Sequence, residues 1–403
     1  MKILFIHQNM PGQFKYLAPE LAKNPNNTIA FLTKREDVTI PNVLKLQYKE
    51  PKPSSVQTHQ YLHRLENAVR YGQQVARGLI ELQRKDFVPD LIIAHPGWGE
   101  ALYCKDVFPA VPLINYCEFF YRGRGLDVDF DPEMPADIDS ICRTRTRSSG
   151  LLLSLEACDI GVSPTEWQKS THPEPYLDRI RVIFDGIDTD RLAPNSEASI
   201  ALGDGRRLTR EDKVLTFVAR NLEPYRGYHI LARAIPEIQR LQPEAHLVIV
   251  GGDEVSYGAP PQNERFETWR EQMDAEVEYD ASRVHFLGRV PYARYMAILQ
   301  SSRAHIYLTY PFVLSWSCFE AMACGVPIIG SRTAPVEEVV THEEQGLLFD
   351  FFDPEELARQ ADILLKDPGL AAELGANARS RIVERYSLPD ALEKWKALVE
   401  SCG

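Results

Sequence analysis

No run of eighteen apolar residues occurs in this chain, although 44% of its 403 residues are hydrophobic, so no segment reads as a membrane-spanning helix. There is no C-x-x-C, and the seven cysteines show no paired spacing, which excludes a disulfide framework and a thiolate zinc site and points to a reducing cytoplasm. No H-E-x-x-H occurs and the ten histidines are scattered, so no metal site is expected. Basic residues are in deficit, not excess: the formal charge of -12 excludes nucleic acid as the main partner. The one dense basic run, RTRTR at 143–147, reads as a solvated helix face. No internal repeat or low-complexity tract is evident. The start, MKILFIHQNMPG, has one Lys and no small-residue cleavage site before its Pro-Gly turn, and reads as a buried strand rather than a signal peptide.

What is present is alternation. KILFIH, TIAFLT, DLIIAH and VPLINYC alternate with helical patterns at 15–23, up to Lys85, and from Glu100. The pattern restarts after Lys213 with VLTFVAR, a helix at 229–241, HLVIVGG, a helix at about 266–279, VHFLG, HIYLTY and VPIIGS. Short apolar runs separated by helices imply parallel strands with crossover helices, hence an α/β fold of two doubly wound, Rossmann-like domains facing a central cleft. The expected boundaries are an N-terminal, acceptor-side domain at 1–190, a polar linker and hinge at 191–212, and a nucleotide-sugar domain at 213–385. Residues 386–403 then form an amphipathic helix crossing back to the first domain.

Ligands of such sheets sit beyond the strand carboxyl ends, so the residues there are the candidates. After KILFIH comes a loop holding Gly12, where backbone can approach a ligand closely. His95 follows DLIIA and precedes Pro-Gly, which turns it towards the crevice. Arg220 and Arg226 flank a turn before a helix, a combination that suits a phosphate through paired donors and the helix-end dipole. Gly251 and Gly252, with Arg289 and Val290, end two further strands where a flat base could lie against backbone. Ser315, Trp316 and Ser317 begin a helix whose free N–H groups suit a diphosphate, and Glu320, one turn in, suits a ribose diol; Gly325 ends it. Glu118, Phe119, Tyr121 and Arg122 follow VPLINYC and are acceptor candidates by placement. The acidic stretches with Asp127, Asp129 and Asp131, and Asp188-Thr189-Asp190, read as solvated loops and not as a metal site.

These pieces in order, from the Gly12 loop and His95 through IRVIFDGIDTDRLAP, RNLEPYRG, LVIVGGDE and VHFLG to EAMACGVPIIGS, resemble the retaining glycosyltransferases of family four, which have the GT-B architecture. The resemblance covers nearly the whole chain. It implies that Arg220 and Arg226 neutralise a leaving diphosphate, that Glu320 holds the nucleotide ribose, and that backbone near Arg289 and Val290 contacts the base. It implies that His95 touches the transferred sugar or lies beside the reacting carbon, and that Gly12 approaches the diphosphate and acceptor. The family's signature has two glutamates separated by seven residues, and the first position here is Phe312, inside the apolar stretch YPFVLSW.

The resemblance implies transfer of a sugar from a nucleotide-diphosphate sugar, UDP favoured over GDP, to an acceptor hydroxyl, with the leaving phosphate taking the proton. No metal or other cofactor is implied. The acceptor is a carbohydrate, a lipid-linked intermediate or a small molecule, the setting is cytoplasmic with peripheral contact at the inner membrane face, and the oligomeric state stays open. Two other readings remain: a nucleotide-sugar 2-epimerase of the same fold, and a non-catalytic nucleotide-binding regulator with Phe312 and Trp316 forming an apolar surface.

Overall fold

The computed structural model describes residues 1–203 and 205–402. The chain divides into two compact units: Met1–Gly186 together with the segment from Leu388 onward, and Ile187–Ser387.

Unit 1 contains the strands β1 (Lys2–Ile6), β2 (Thr28–Thr33), β3 (Val43–Gln47), β4 (Leu91–Ala94), β5 (Leu113–Tyr116), β6 (Ile160–Ser163) and β7 (Ile180–Val182). They form one sheet in the order β3-β2-β1-β4-β5-β6-β7, with every pair parallel. Alternate side chains of a strand point to opposite faces, so a parallel sheet needs both faces covered. Ile3 and Phe5 accordingly join one apolar cluster with Leu91 and Ile93, while Leu4 and Ile6 join another with Ile92 and Ala94. The second face is covered by the helix His63–Arg84 through Val75, Leu79 and Leu82. The first is covered by Leu17–Leu21 and by the helix Leu388–Glu400, which buries Trp395 and Val399 in the core of unit 1. Each such fully buried side chain contributes about 1.5–3 kcal/mol.

Unit 2 holds a small antiparallel hairpin, β8 (Ile200–Ala201) and β9 (Arg207–Leu208), followed by β10 (Val214–Asn221), β11 (His246–Gly252), β12 (Val284–Phe286), β13 (Ala304–Tyr307), β14 (Ile328–Ser331) and β15 (Gly346–Phe349). The last six form a parallel sheet in the order β12-β11-β10-β13-β14-β15. The stretch 191–212, expected to be a linker, is instead part of this unit. Ile200, Leu202 and Leu208 are buried in one cluster with Val214, Val248 and Ile298, so its few apolar residues are core residues. The crossings between units fall at Gly186/Ile187 and Ser387/Leu388.

Three expected helices shrink. The pattern at 15–23 yields only Leu17–Leu21, the one at about 266–279 only Trp269–Glu276, and the one from Glu100 only Cys104–Val107, where Pro109 disfavours helical backbone at Phe108. The helix Trp316–Ala323 ends as expected at Gly325, whose φ of +69° is left-handed. Gly325 N–H donates to Met322 O at 2.9 Å and Val326 N–H to Ala321 O at 3.1 Å, a reciprocal closure that satisfies the last carbonyls.

In each sheet the strand order reverses once, between β1 and β4 and between β10 and β13. Chain leaves those neighbours towards opposite faces, which opens a crevice at their carboxyl ends.

Candidate functional site

At the switch point of unit 1, β1 and β4 are followed by His7 and His95, two buried imidazoles with ring centroids 4.9 Å apart. His7 Nδ1 accepts the Asn9 N–H at 2.9 Å, and His95 Nδ1 accepts the Gly97 N–H at 3.1 Å. An amide donor on Nδ1 leaves the proton of a neutral ring on Nε2. His7 Nε2–H then donates to Gln13 Oε1 at 2.8 Å, and Gln13 Nε2–H donates to Glu118 Oε1 at 2.7 Å. The second carboxylate oxygen of half-buried Glu118 lies 3.6 Å from His95 Nε2, which makes no hydrogen bond. Trp98 and Tyr116 stack on His95 with centroids 4.7 and 5.5 Å away. Burial, aided by His95 and opposed by the bond to Gln13, lowers the His7 pKa to about 3. Gly12 sits at φ +52°, and a Cβ there would fall 2.3 Å from His7 Nε2, so the room this glycine leaves is taken by the imidazole.

Glu100, five residues past His95, is fully buried. Tyr48 donates to its Oε1 at 3.3 Å, its Oε2 has no partner, and burial pushes its carboxyl up to about 7. Of the acceptor candidates, Glu118 approaches His95, and Phe119 and Tyr121 line the same small cavity as these two. Tyr121 lies under the Arg147 guanidinium at 3.5 Å, so one arginine of the basic run is a stacking partner and not merely solvated. Arg122 donates to Thr171 O and His172 O at 3.0 and 3.4 Å, tying down a turn, and Phe119 is buried against Tyr121 and Trp167.

The acidic loop differs from its expectation. Asp127 and Asp131 are buried, and Asp129 Oδ1 and Asp131 Oδ1 accept the N–H groups of Ala136 and Glu133, so these carboxylates shape turns. Asp188 does likewise for Arg191 N–H.

At the switch point of unit 2 the two arginines part company. Arg220, one residue before the end of β10, is exposed. Arg226 is buried: its Nη1 donates to Thr309 Oγ1 at 2.8 Å, Val313 O at 2.9 Å and Tyr307 Oη at 3.4 Å. Its guanidinium also faces the rings of Tyr257 and Phe312 at 5.1 and 5.7 Å. Burial opposes that charge, but Tyr307, Tyr257 and Glu223 outweigh it and raise the pKa. Glu223, fully buried, accepts the backbone N–H groups of Ser256, Tyr257 and Gly258. Phe312, where the family pattern has a glutamate, is 5% exposed and packs against Tyr225 and Tyr257, whereas Trp316 is 38% exposed.

Ser315 caps the helix Trp316–Ala323 by accepting Ser317 N–H, and Ser315 N–H donates to Tyr307 Oη at 2.7 Å. Glu320 is buried and its two oxygens accept the hydroxyls of Tyr292, at 2.9 Å, and Tyr295. Gly251 and Gly252 end β11 with their backbone used locally: Gly251 N–H meets Gly288 O and Gly252 O accepts Leu222 N–H. Exposed Arg289 donates to Asn221 Oδ1 at 3.0 Å and to Glu254, and half-buried Val290 packs on the core. The sequence reading did not single out His7, Gln13, Glu223, Tyr292 or Tyr295. His7 was legible by the rule that found His95; the tyrosines stand three apart on a helix, a spacing equally good for packing.

A family model for the glycosyl transferase family 4 group matches residues 25–192, and one for glycosyl transferases group 1 matches residues 205–381. D-inositol 3-phosphate glycosyltransferase from Rhodococcus jostii is 30% identical over 216 residues, 52% of this chain and 44% of the relative. GDP-mannose-dependent alpha-(1-6)-phosphatidylinositol monomannoside mannosyltransferase from Mycolicibacterium smegmatis is 27% identical over 50% of this chain and 51% of its own. The chain thus spans about half the length of these curated relatives. The crystal structure of Anabaena HepE in complex with UDP superposes over 100% of both chains with a TM-score of 0.69 at 16% identity, a likeness of fold. The chain belongs to the group 1 glycosyltransferases and has the GT-B fold of two parallel-sheet α/β domains.

Proposed function

We propose that this chain is a hexosyltransferase that moves a sugar from a nucleoside diphosphate sugar to an acceptor hydroxyl with retention of configuration. The observation that carries the proposal is the chemistry gathered at one switch point: exposed Arg220 at the end of β10, and, after the neighbouring β13, a helix whose start is capped by Ser315 and whose first turns hold the Glu320 carboxylate. A guanidinium and a helix N-terminus suit a leaving diphosphate, and a carboxylate already oriented by Tyr292 and Tyr295 can still accept hydroxyls of a ribose.

In the proposed step the acceptor oxygen forms its bond to the anomeric carbon as the bond to the diphosphate breaks, and the acceptor proton passes to a phosphate oxygen. Arg220 and the helix start stabilise the charge that develops on that phosphate. Arg226 contributes by holding the Val313 carbonyl, and with it the loop before the helix. No metal is invoked, since the guanidinium supplies the positive charge. In unit 1, His95 and Glu118 are the groups proposed to face the transferred sugar or the acceptor.

UDP is favoured as the nucleotide because HepE was solved with UDP and with UDP-glucose, while the mycobacterial relative is named for GDP-mannose. Lipid-linked acceptors are favoured by that same relative's name. The test is a thermal-shift panel of nucleoside diphosphates and their sugars, followed by NMR of the product formed from the donor that stabilises most. A ligand at about 100 times its dissociation constant adds roughly 2.7 kcal/mol. The expected result is stabilisation by UDP and slow release of sugar with its anomeric configuration kept. Release of an inverted sugar rejects retention, and stabilisation by neither UDP nor GDP rejects the donor assignment.

A further inference from the structure

We infer that unit 2 carries a second anion site, built for a small organic phosphate, at the end of its sheet opposite the proposed donor site. A cavity of about 1000 Å³ opens there, a size suited to a small-molecule ligand. Chain order fixes its place. Arg210 precedes β10, Arg303 precedes β13 and Gly325 precedes β14, so the cavity lies at the amino ends of the strands, whereas Arg220, Gly252 and Thr309 stand at the carboxyl ends.

Three guanidinia line it. Arg210 donates to the carbonyls of Cys324 and Gly325, Arg303 to those of Arg210 and Glu211, and Arg379 to those of Thr189, Leu192 and Ala323. Carbonyls hold a guanidinium in place without cancelling its charge. Among the described residues none of the three forms an ion pair, whereas eight other arginines of this unit do. Among the described residues the carboxylates lining the cavity are Glu211 and Glu384, both exposed. Burial and the neighbouring Arg303 lower the Arg210 pKa, a conflict that a bound anion relieves.

A phosphate monoester offers oxygens in the geometry that guanidinium forks accept. Inorganic phosphate alone is far smaller than the cavity, whose lining also includes the apolar Pro194, Ala371, Ala372, Ala376 and Val383. The occupant therefore carries an apolar organic part on its phosphate.

The experiment is calorimetric titration of the full chain, with UDP saturating the donor site, using phenyl phosphate and inorganic phosphate as probes. Phenyl phosphate is expected to bind one site, and inorganic phosphate more weakly. Arg303→Gln is expected to weaken phenyl phosphate about tenfold, as loss of a charged hydrogen-bond donor does, and Ala376→Trp, which fills the cavity from an exposed helix position, to abolish binding. Unchanged UDP affinity shows that a variant is folded; should Arg303→Gln fail that check, Ala376→Trp decides. Absence of saturable phenyl phosphate binding, its displacement by UDP, or full affinity in Ala376→Trp overturns the site. Equal affinity for inorganic phosphate overturns the organic part.

Discussion

At the switch point of the first sheet stand two buried imidazoles, an amide and a carboxylate; at that of the second stand two arginines, a ring of tyrosines and a carboxylate gripped by hydroxyls. The same topology thus delivers opposite electrostatics. In unit 1 burial favours the neutral forms of His7 and Glu100, lowering the first to about 3 and raising the second to about 7. Unit 2 keeps a charge inside, because Arg226 finds three oxygen acceptors and two aromatic faces. A buried charge survives where acceptors surround it and is given up where they do not.

Four substitutions test that contrast, from the largest effect to the smallest. Arg226→Met leaves Thr309, Val313 and Tyr307 without their donor, and should cost unit 2 about 3 kcal/mol in urea unfolding; a loss below about 1 kcal/mol would mean the guanidinium is not structural. Arg220→Ala touches no such network. It should leave unfolding unchanged and reduce turnover about 100-fold, since the donor it removes is used only by the developing phosphate charge. Wild-type turnover in that variant would return Arg220 to the ordinary surface.

Glu100→Gln separates the neutral groups of unit 1. The folded carboxyl holds its proton up to about 7 while the unfolded one releases it near 4.5, so the wild-type contribution is whole below 4.5 and is lost as pH rises through 7. Glutamine, which has no proton to lose, should match the wild type near pH ~4 and exceed it above pH ~8, the gap opening between 4.5 and about 7. His7 works in the other direction, its unfolded ring taking a proton below 6.5 that the folded ring refuses until about 3, so His7 destabilises unit 1 as pH falls through that window. A flat pH dependence of the Gln-to-wild-type difference would show that Glu100 is ionised in the fold. Smallest of all, Trp316→Ala should shift stability by no more than about 0.5 kcal/mol, because Trp316 is exposed where Phe312, four residues earlier, is not.

The strands were legible because burial on both faces writes itself as continuous apolar runs, KILFIH and VLTFVAR among them. The hairpin β8/β9 was not, since five buried residues scattered through 191–212 do not outweigh its Gly, Asp and Ser; only the neighbours of Ile200 and Leu208 reveal it as core. Strand-end position found His95, Arg220 and Glu320, but not what each would touch. Nothing in the run RNLEPYRG distinguishes the exposed first arginine from the buried second, for the difference is made by Thr309 and Val313, more than eighty residues on. The apolar stretch at 310–316 invited a reading as an open surface, whereas Phe312 is spent on the aromatic packing around Arg226 while Trp316 is 38% exposed.

The helix Leu388–Glu400 carries a consequence for the order of assembly. Unit 2 is one uninterrupted stretch, Ile187–Ser387, set inside the sequence of unit 1, whose Trp395 and Val399 come only after it. During synthesis the second unit can therefore close its core while the first still waits for a missing wedge. The earlier-made half of the chain is the later-finished one, and its exposed apolar face is what a chaperone would meet in the interval.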